Sequence, residues 1–137
     1  MTKDQRHSIK SSTRTSTPPR STFNRGALSF RSSLGQLGEG LALQYLLTEA
    51  FTLEAKNWRG KSGELDLIMR QGELLIIVEV RSTSHQWLER PAEATPLSKQ
   101  RQVARCAHEY IQQRSSHLPL IMDIRFDILG LLIPPQL

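Results

Sequence analysis

The sequence predicts an α/β domain, a mixed sheet flanked by helices with elements in the order α-β-β-β-α-β. Three observations carry that expectation. Apolar residues recur at spacings of three and four in two separate stretches, the period of a helix face. Three short runs rich in β-branched and aliphatic residues lie between those stretches, and a fourth follows the second. The whole chain is 137 residues long, one domain's length, with little room for a second core.

Taken in order, residues 1–33 hold seven Lys or Arg against one acid, Asp4, together with thirteen Ser or Thr and the pair Pro18-Pro19. Such a stretch buries too little apolar surface to offset the entropy of ordering it. Residues 1–33 are therefore expected to form a disordered basic arm, and residues 34–137 the folded domain. The arm reads as a solvated tail or as a segment that touches phosphates through counterion release. Its composition, rich in Arg and Ser, also suits an organelle transit peptide, and it lacks the apolar core of a secretory signal.

From Gly35 the texture changes, and Leu37, Leu41, Ala42, Tyr45 and Leu46 predict a helix over 35–50. Extended segments are expected over 52–58, 64–70 and 74–81, the last two forming a hairpin about Gln71-Gly72. Residues 82–95 are polar, broken by Pro91, and read as a loop. Thr95-Pro96 or Ser98 starts the next helix, because proline suits the first helical position and Ser or Thr the cap. Val103, Cys106, Ala107, Tyr110 and Ile111 make its buried stripe. A last extended run over 122–133 stops at Pro134-Pro135.

Composition narrows the functional classes. The formal charge is +5, but residues 34–137 carry eleven basic against twelve acidic side chains, so the surplus sits in the arm. The single cysteine, Cys106, excludes an internal disulfide and a thiolate zinc cluster. No apolar run approaches the roughly 20 residues of a spanning helix, so no membrane association is expected and the protein is read as cytoplasmic.

Acids inside the strands need a reason. Pairing the hairpin about Gln71-Gly72 sets Asp66 opposite Ile77 and Glu64 opposite Glu79. That register gathers Leu65, Leu67, Met69, Leu74, Ile76, Val78 and Val80 on one apolar face. Glu64, Asp66, Glu79 and Arg81 fall on the other, with Asp66 diagonal to Glu79. Carboxylates crowded on one face repel unless positive charge lies between them. A divalent ion with a taste for hard oxygen ligands, Mg2+ or Mn2+, is one answer. A salt-bridge network with Arg81, Arg59 or Lys61 is the other, and spacing alone leaves the two open. His7, His85, His108 and His117 are dispersed, and only His85, beside a strand end, stands near these acids.

At these residues the chain resembles a known family. Gly35, Gly38-Glu39, Ala42 and Tyr45-Leu46 are followed by Asn57-Trp58-Arg59, then by Gly63-Glu64-Leu65-Asp66-Leu67-Ile68. Val78-Glu79-Val80-Arg81, Lys99 and Arg125-Phe126-Asp127 come after. In this order the pieces resemble the YraN-like family of uncharacterised bacterial proteins, from residue 35 to about 130. The family's fold is that of the PD-(D/E)XK, restriction-endonuclease-like superfamily, with Holliday-junction resolvases as relatives.

The resemblance implies a nucleic-acid-binding protein and a divalent-metal-dependent endonuclease, acting on DNA rather than RNA, with branched or damaged DNA as substrates. Asp66 and Glu79, with the backbone of Val80, would be metal ligands, and Glu39 an additional acid. Arg59, Lys99 and Arg101 would contact phosphates, and a homodimer is implied by analogy. One position departs from the superfamily pattern, because Arg81 stands where it has lysine, and Thr83 where many members carry a further basic residue. Arginine binds phosphate but keeps its proton, so Arg81 cannot act as a base. The alternative is therefore a non-catalytic nucleic-acid-binding module on the same fold.

Overall fold

The computed structural model describes residues 25–84 and 95–135. Helix α1 (Arg25–Thr48) leads into strands β1 (Thr52–Arg59), β2 (Glu64–Gln71) and β3 (Leu74–Thr83), then helix α2 (Leu97–Gln113) and strand β4 (Asp123–Leu132). The sheet runs β1-β2-β3-β4, antiparallel between the first three strands and parallel between β3 and β4. The expected α/β class, element order and mixed sheet are those observed.

The helix boundary differs from expectation. α1 starts at Arg25, ten residues before the expected start at Gly35 and inside the stretch assigned to the arm. No proline follows Pro19 until well past this helix, so nothing in the backbone stops it from extending toward its N-terminus. The rest of the arm, residues 1–24, lies outside the described residues, as do residues 85–94 of the expected loop, His85 among them.

Two apolar clusters sandwich the sheet. On one face, Ala42 and Leu46 of α1 pack on Leu67, Met69, Ile76 and Val78. On the other, Cys106, Ala107 and Tyr110 of α2 cover Leu65, Ile68, Leu75 and Ile77. The α2 stripe is the expected one. The α1 stripe is half right: Leu37, Leu41 and Tyr45 are exposed, and the buried line runs Gly38, Ala42, Leu46. A methyl group at Gly38 would overlap the Ser82 side chain, so glycine lets α1 lie directly against β3.

The hairpin closes on Gln71 and Leu74, with Gly72 at φ 58 in its two-residue loop, the backbone a primed turn requires. Ile77 thus faces Ile68, one step of two residues away from the expected register. Parity is unchanged, so nearly every residue keeps its expected face. Leu65 is the exception and joins the α2 cluster. The face expected to be charged is also apolar along most of its length, because α2 lies across it.

Candidate functional site

The outermost rung of the β2–β3 ladder is Leu67–Val78, and the next positions outward are Asp66 and Glu79. There the strands part. The Val80 N–H donates not to a backbone carbonyl but to Asp66 Oδ2, at 2.8 Å. This break in pairing accompanies the slip of Leu65 to the other face. β1 is irregular beside it, with a bulge between Leu53 and Ala55 and a left-handed Asn57 at φ 48. Asparagine tolerates that conformation better than most residues, and Asn57 shares a hollow with Glu39.

The three acids singled out from the sequence divide across the sheet. Glu79 lies on the α2 side, lining a cavity of about 510 Å³ with Ile77, Gln100, Arg101, Val103 and Phe126 among its walls. Glu39 lies on the α1 side, in a hollow of about 290 Å³ with Gln36, Leu43, Lys56 and Asn57. Asp66 sits between them and feels both. Among the described residues, no three or more His, Cys, Asp or Glu side chains group closely enough to hold a metal ion among themselves.

Electrostatics follow from that placement. Burial first, then the neighbouring charge of Glu79, hold the Asp66 carboxyl above the usual aspartate range, against the Val80 hydrogen bond. Burial, then the charge of Asp66, likewise push Glu39 up, opposed by Asn57. Glu79 meets two cations: Lys99 Nζ at 3.5 Å and Arg81 at 3.8 Å. Arg81 also donates to Thr95 Oγ1 at 2.9 Å. Glu64 is taken by Arg59 at 3.2 Å, and Arg59 is otherwise exposed. The salt-bridge network left open by the sequence thus exists on Glu79 and Glu64, while Asp66 has an amide rather than a cation as its direct partner. Lys61, the third cation considered for that network, uses its backbone N–H on Glu109.

Several residues that position the site carried no chemical signal in the sequence. The 60–63 loop feeding β2 is clamped from α2: Glu109 accepts from Ser62 Oγ and from the Lys61 and Ser62 N–H groups. Gln102 donates to the Ser62 carbonyl, and the Cys106 thiol to that of Gly63. Glu54 anchors the far end of α2 through Arg114 and Tyr110. These polar residues are interleaved with the apolar stripe of α2, where periodicity alone cannot distinguish a clamp from a solvated face.

Residues 38–131 match the model of an uncharacterised protein family, UPF0102. The chain belongs to the UPF0102 family. A UPF0102 protein of Rhodococcus opacus is 37% identical over 101 residues, 74% of this chain and 83% of that one. One from Nocardioides is 33% identical over 108 residues, covering 79% and 85%. Another, from Chloroflexus aurantiacus, is 36% identical over 99 residues, covering 72% and 78%. The UPF0102 match spans every element from Gly38 of α1 to Leu131 of β4 and begins beyond the basic arm. Among the described residues no helix is long and apolar enough to cross a membrane.

Proposed function

We propose that the protein binds nucleic acid and hydrolyses phosphodiester bonds at the Asp66–Glu79 pair with a divalent cation, in the manner of the PD-(D/E)XK endonucleases it resembles. One observation carries the proposal. Asp66, half-buried and tied to Val80, lies beside Glu79 with its carboxyl raised, so Asp66 carries a charge that its surroundings stabilise incompletely. Two carboxylates, with no His or Cys grouped with them among the described residues, fit Mg2+ or Mn2+, which are held by one or two carboxylates and several waters. Asp66 and Glu79 would hold the ion beside the Val80 backbone. When bound, such an ion lowers the pKa of a coordinated water and stabilises charge on phosphate oxygens.

The chain's own residues would do the rest. Lys99 and Arg81, already at Glu79, bring two positive side chains where a phosphate would approach, and Arg101 extends them along α2. Arg59, opposite Glu64, lies on β1 at the same end of the sheet. Glu39 would assist from the α1 side by holding a proton or water near Asp66. DNA, branched or damaged, is the proposed substrate.

A second reading, a binding module without catalysis, draws on Arg81. Its charge is permanent, and with Lys99 it already neutralises part of Glu79. One experiment separates the two readings. Mg2+ or Mn2+ is titrated calorimetrically into the wild type and Asp66→Asn, and both are offered branched and single-stranded DNA. Catalysis predicts metal binding and cleavage in the wild type alone. Binding of DNA without cleavage in either metal leaves only the module, and no binding of metal or DNA sinks both.

A further inference from the structure

β4 closes the sheet order and, among the described residues, pairs along one edge only. Its register with β3 is unbroken from Leu74–Asp123 to Thr83–Leu132. Asp123 N–H donates to the Glu73 carbonyl and Ile133 N–H to that of Thr83. Successive N–H groups alternate between the two edges of a strand, so the odd-numbered residues of β4 face β3. Phe126 and Ile128 therefore present their N–H and C=O groups at the open edge, while the Ile124 N–H there donates to Asp123 Oδ1 at 2.8 Å. Phe126 is also 51% exposed and Ile124 38%, an apolar stripe on a strand paired, among the described residues, along one edge only. Proteins commonly protect such an edge with charge, proline or cover. The charges here are of opposite sign, Arg125 and Asp127, joined to each other at 2.8 Å.

We propose that β4 pairs antiparallel with β4 of a second copy about a two-fold axis at Phe126, joining two four-stranded sheets into one. Charge order and the length of strand paired together select this register. About Phe126, Arg125 falls opposite Asp127 of the second copy, and Asp127 opposite its Arg125, so both ions find partners twice. An axis at Arg125 sets arginine against arginine, and one at Asp127 sets aspartate against aspartate, which is unfavourable across strands. An axis at Ile124 also sets Arg125 opposite an aspartate, Asp123, but it pairs only residues 123–125 of β4, against 123–129 about Phe126. The Phe126 register also makes Phe126 a hydrogen-bonded pair with its own copy, because its N–H and C=O point outward. On the α2 side of the sheet, Ile124 then meets Ile128 of the second copy and the two Phe126 rings meet each other. The apolar wall formed by Ile77, Val103, Phe126 and Ile128 would continue across the axis. The contact is isologous, so it closes at two copies. It stands independently of the proposed catalysis.

Sedimentation equilibrium of the full chain, with Arg125→Asp and the charge-swapped Arg125→Asp/Asp127→Arg, tests the interface. The wild type is expected to be a dimer. Arg125→Asp, which sets like charges opposite each other twice, should raise the dissociation constant about tenfold or more. The swap restores complementarity and should return it to within a few-fold of the wild type. The swap restores the intrastrand pair as well, so thermal melting of Arg125→Asp at monomeric concentration, expected to be near that of the wild type, is the control for folding. A wild type that stays monomeric at high concentration overturns the proposal, as does a dimer indifferent to Arg125→Asp or a swap no tighter than the single variant.

Discussion

The Val80 N–H donates to the Asp66 carboxylate at 2.8 Å, so the acid of β2 is fastened to the strand that carries Glu79. Asn at position 66 keeps an oxygen for this bond and removes a charge that burial and Glu79 disfavour. Asp66→Asn should therefore melt at or above the wild-type temperature without metal, while losing Mg2+ binding. Asp66→Ala leaves the Val80 N–H without its acceptor and should cost about 1 to 2 kcal/mol in urea denaturation. A strongly destabilised Asp66→Asn would show that the negative charge itself holds the strands together.

The same acids set a pH dependence. A carboxyl raised on folding stabilises the fold fully below its unfolded pKa, about 4, and that contribution is lost as pH rises through the folded value. Asp66 and Glu39, both raised, thus oppose folding at neutral pH. The stability gained by Asp66→Asn or Glu39→Gln over the wild type should grow between about pH 3 and pH 7. Saturating Mg2+ should shrink the gain for Asp66→Asn, because a cation stabilises the charged carboxylate. A gain independent of pH would remove the electrostatic account.

Much of this arrangement was legible before the fold was known, for identifiable reasons. Alternation has period two, so shifting the hairpin by one full step left Asp66 and Glu79 on compatible positions even though their predicted pairing was wrong. The α2 stripe was readable because Cys106, Ala107 and Tyr110 keep helical spacing. The α1 stripe was only partly readable: Gly38 scores as no core residue, yet it sits at the closest approach to β3. The slip of Leu65 was invisible because it depends on a side chain, Asp66, replacing a backbone acceptor. The contact of Lys99 with Glu79 joins residues twenty positions apart, and periodicity says nothing about that crossing.

Glu54 and Arg114 form the most buried ion pair described, with side chains 2% and 8% exposed, joined by Tyr110 and Arg70. Neutralising one partner leaves a buried charge uncompensated, so Glu54→Gln should cost about 3 kcal/mol. Arg114 and Tyr110 hold the Glu54 carboxyl below the usual range against the effect of its burial. Its stabilisation is present above the unfolded pKa and lost as pH falls through the folded one. In Arg114→Met burial is opposed by fewer partners, so the stability lost by this variant should be largest at neutral pH and shrink as pH falls toward about 4. Burial, then the Glu54 hydrogen bond, push the Tyr110 hydroxyl up to about 12. An absorbance titration should show a phenolate step there that vanishes in Tyr110→Phe.

Two glycines of α1 should respond in opposite ways to alanine. At Gly35 the added methyl meets nothing within 4 Å, and the gain in helix propensity should stabilise by about 0.5 to 1 kcal/mol. At Gly38 it overlaps the Ser82 hydroxyl and comes within 2.9 Å of Ser82 Cβ. The hydroxyl can rotate away, but the Cβ cannot, so α1 must lift from β3 at a cost of about 1 to 3 kcal/mol. Because Glu39 is the next residue, Gly38→Ala should also return the Glu39 titration toward that of an ordinary glutamate, measurable by NMR. Equal effects of the two alanines would place the helix elsewhere.

Lys99 lies between two roles, partner of Glu79 at 3.5 Å and proposed phosphate contact, and Lys99→Gln separates them. As a neighbour of the Asp66–Glu79 pair, its ammonium repels any cation that binds there. Removing it should raise Mg2+ affinity by about 1 kcal/mol, the scale of a partly exposed charge interaction. As a phosphate contact it should do the reverse to DNA, lowering affinity and reducing the slope of log affinity against log salt by about 1. Opposite shifts in the two titrations would mark one lysine serving a single metal and phosphate site. A fall in DNA affinity with no change of slope would assign Lys99 to holding Glu79 alone, leaving Arg81 and Arg101 as the phosphate contacts beside it.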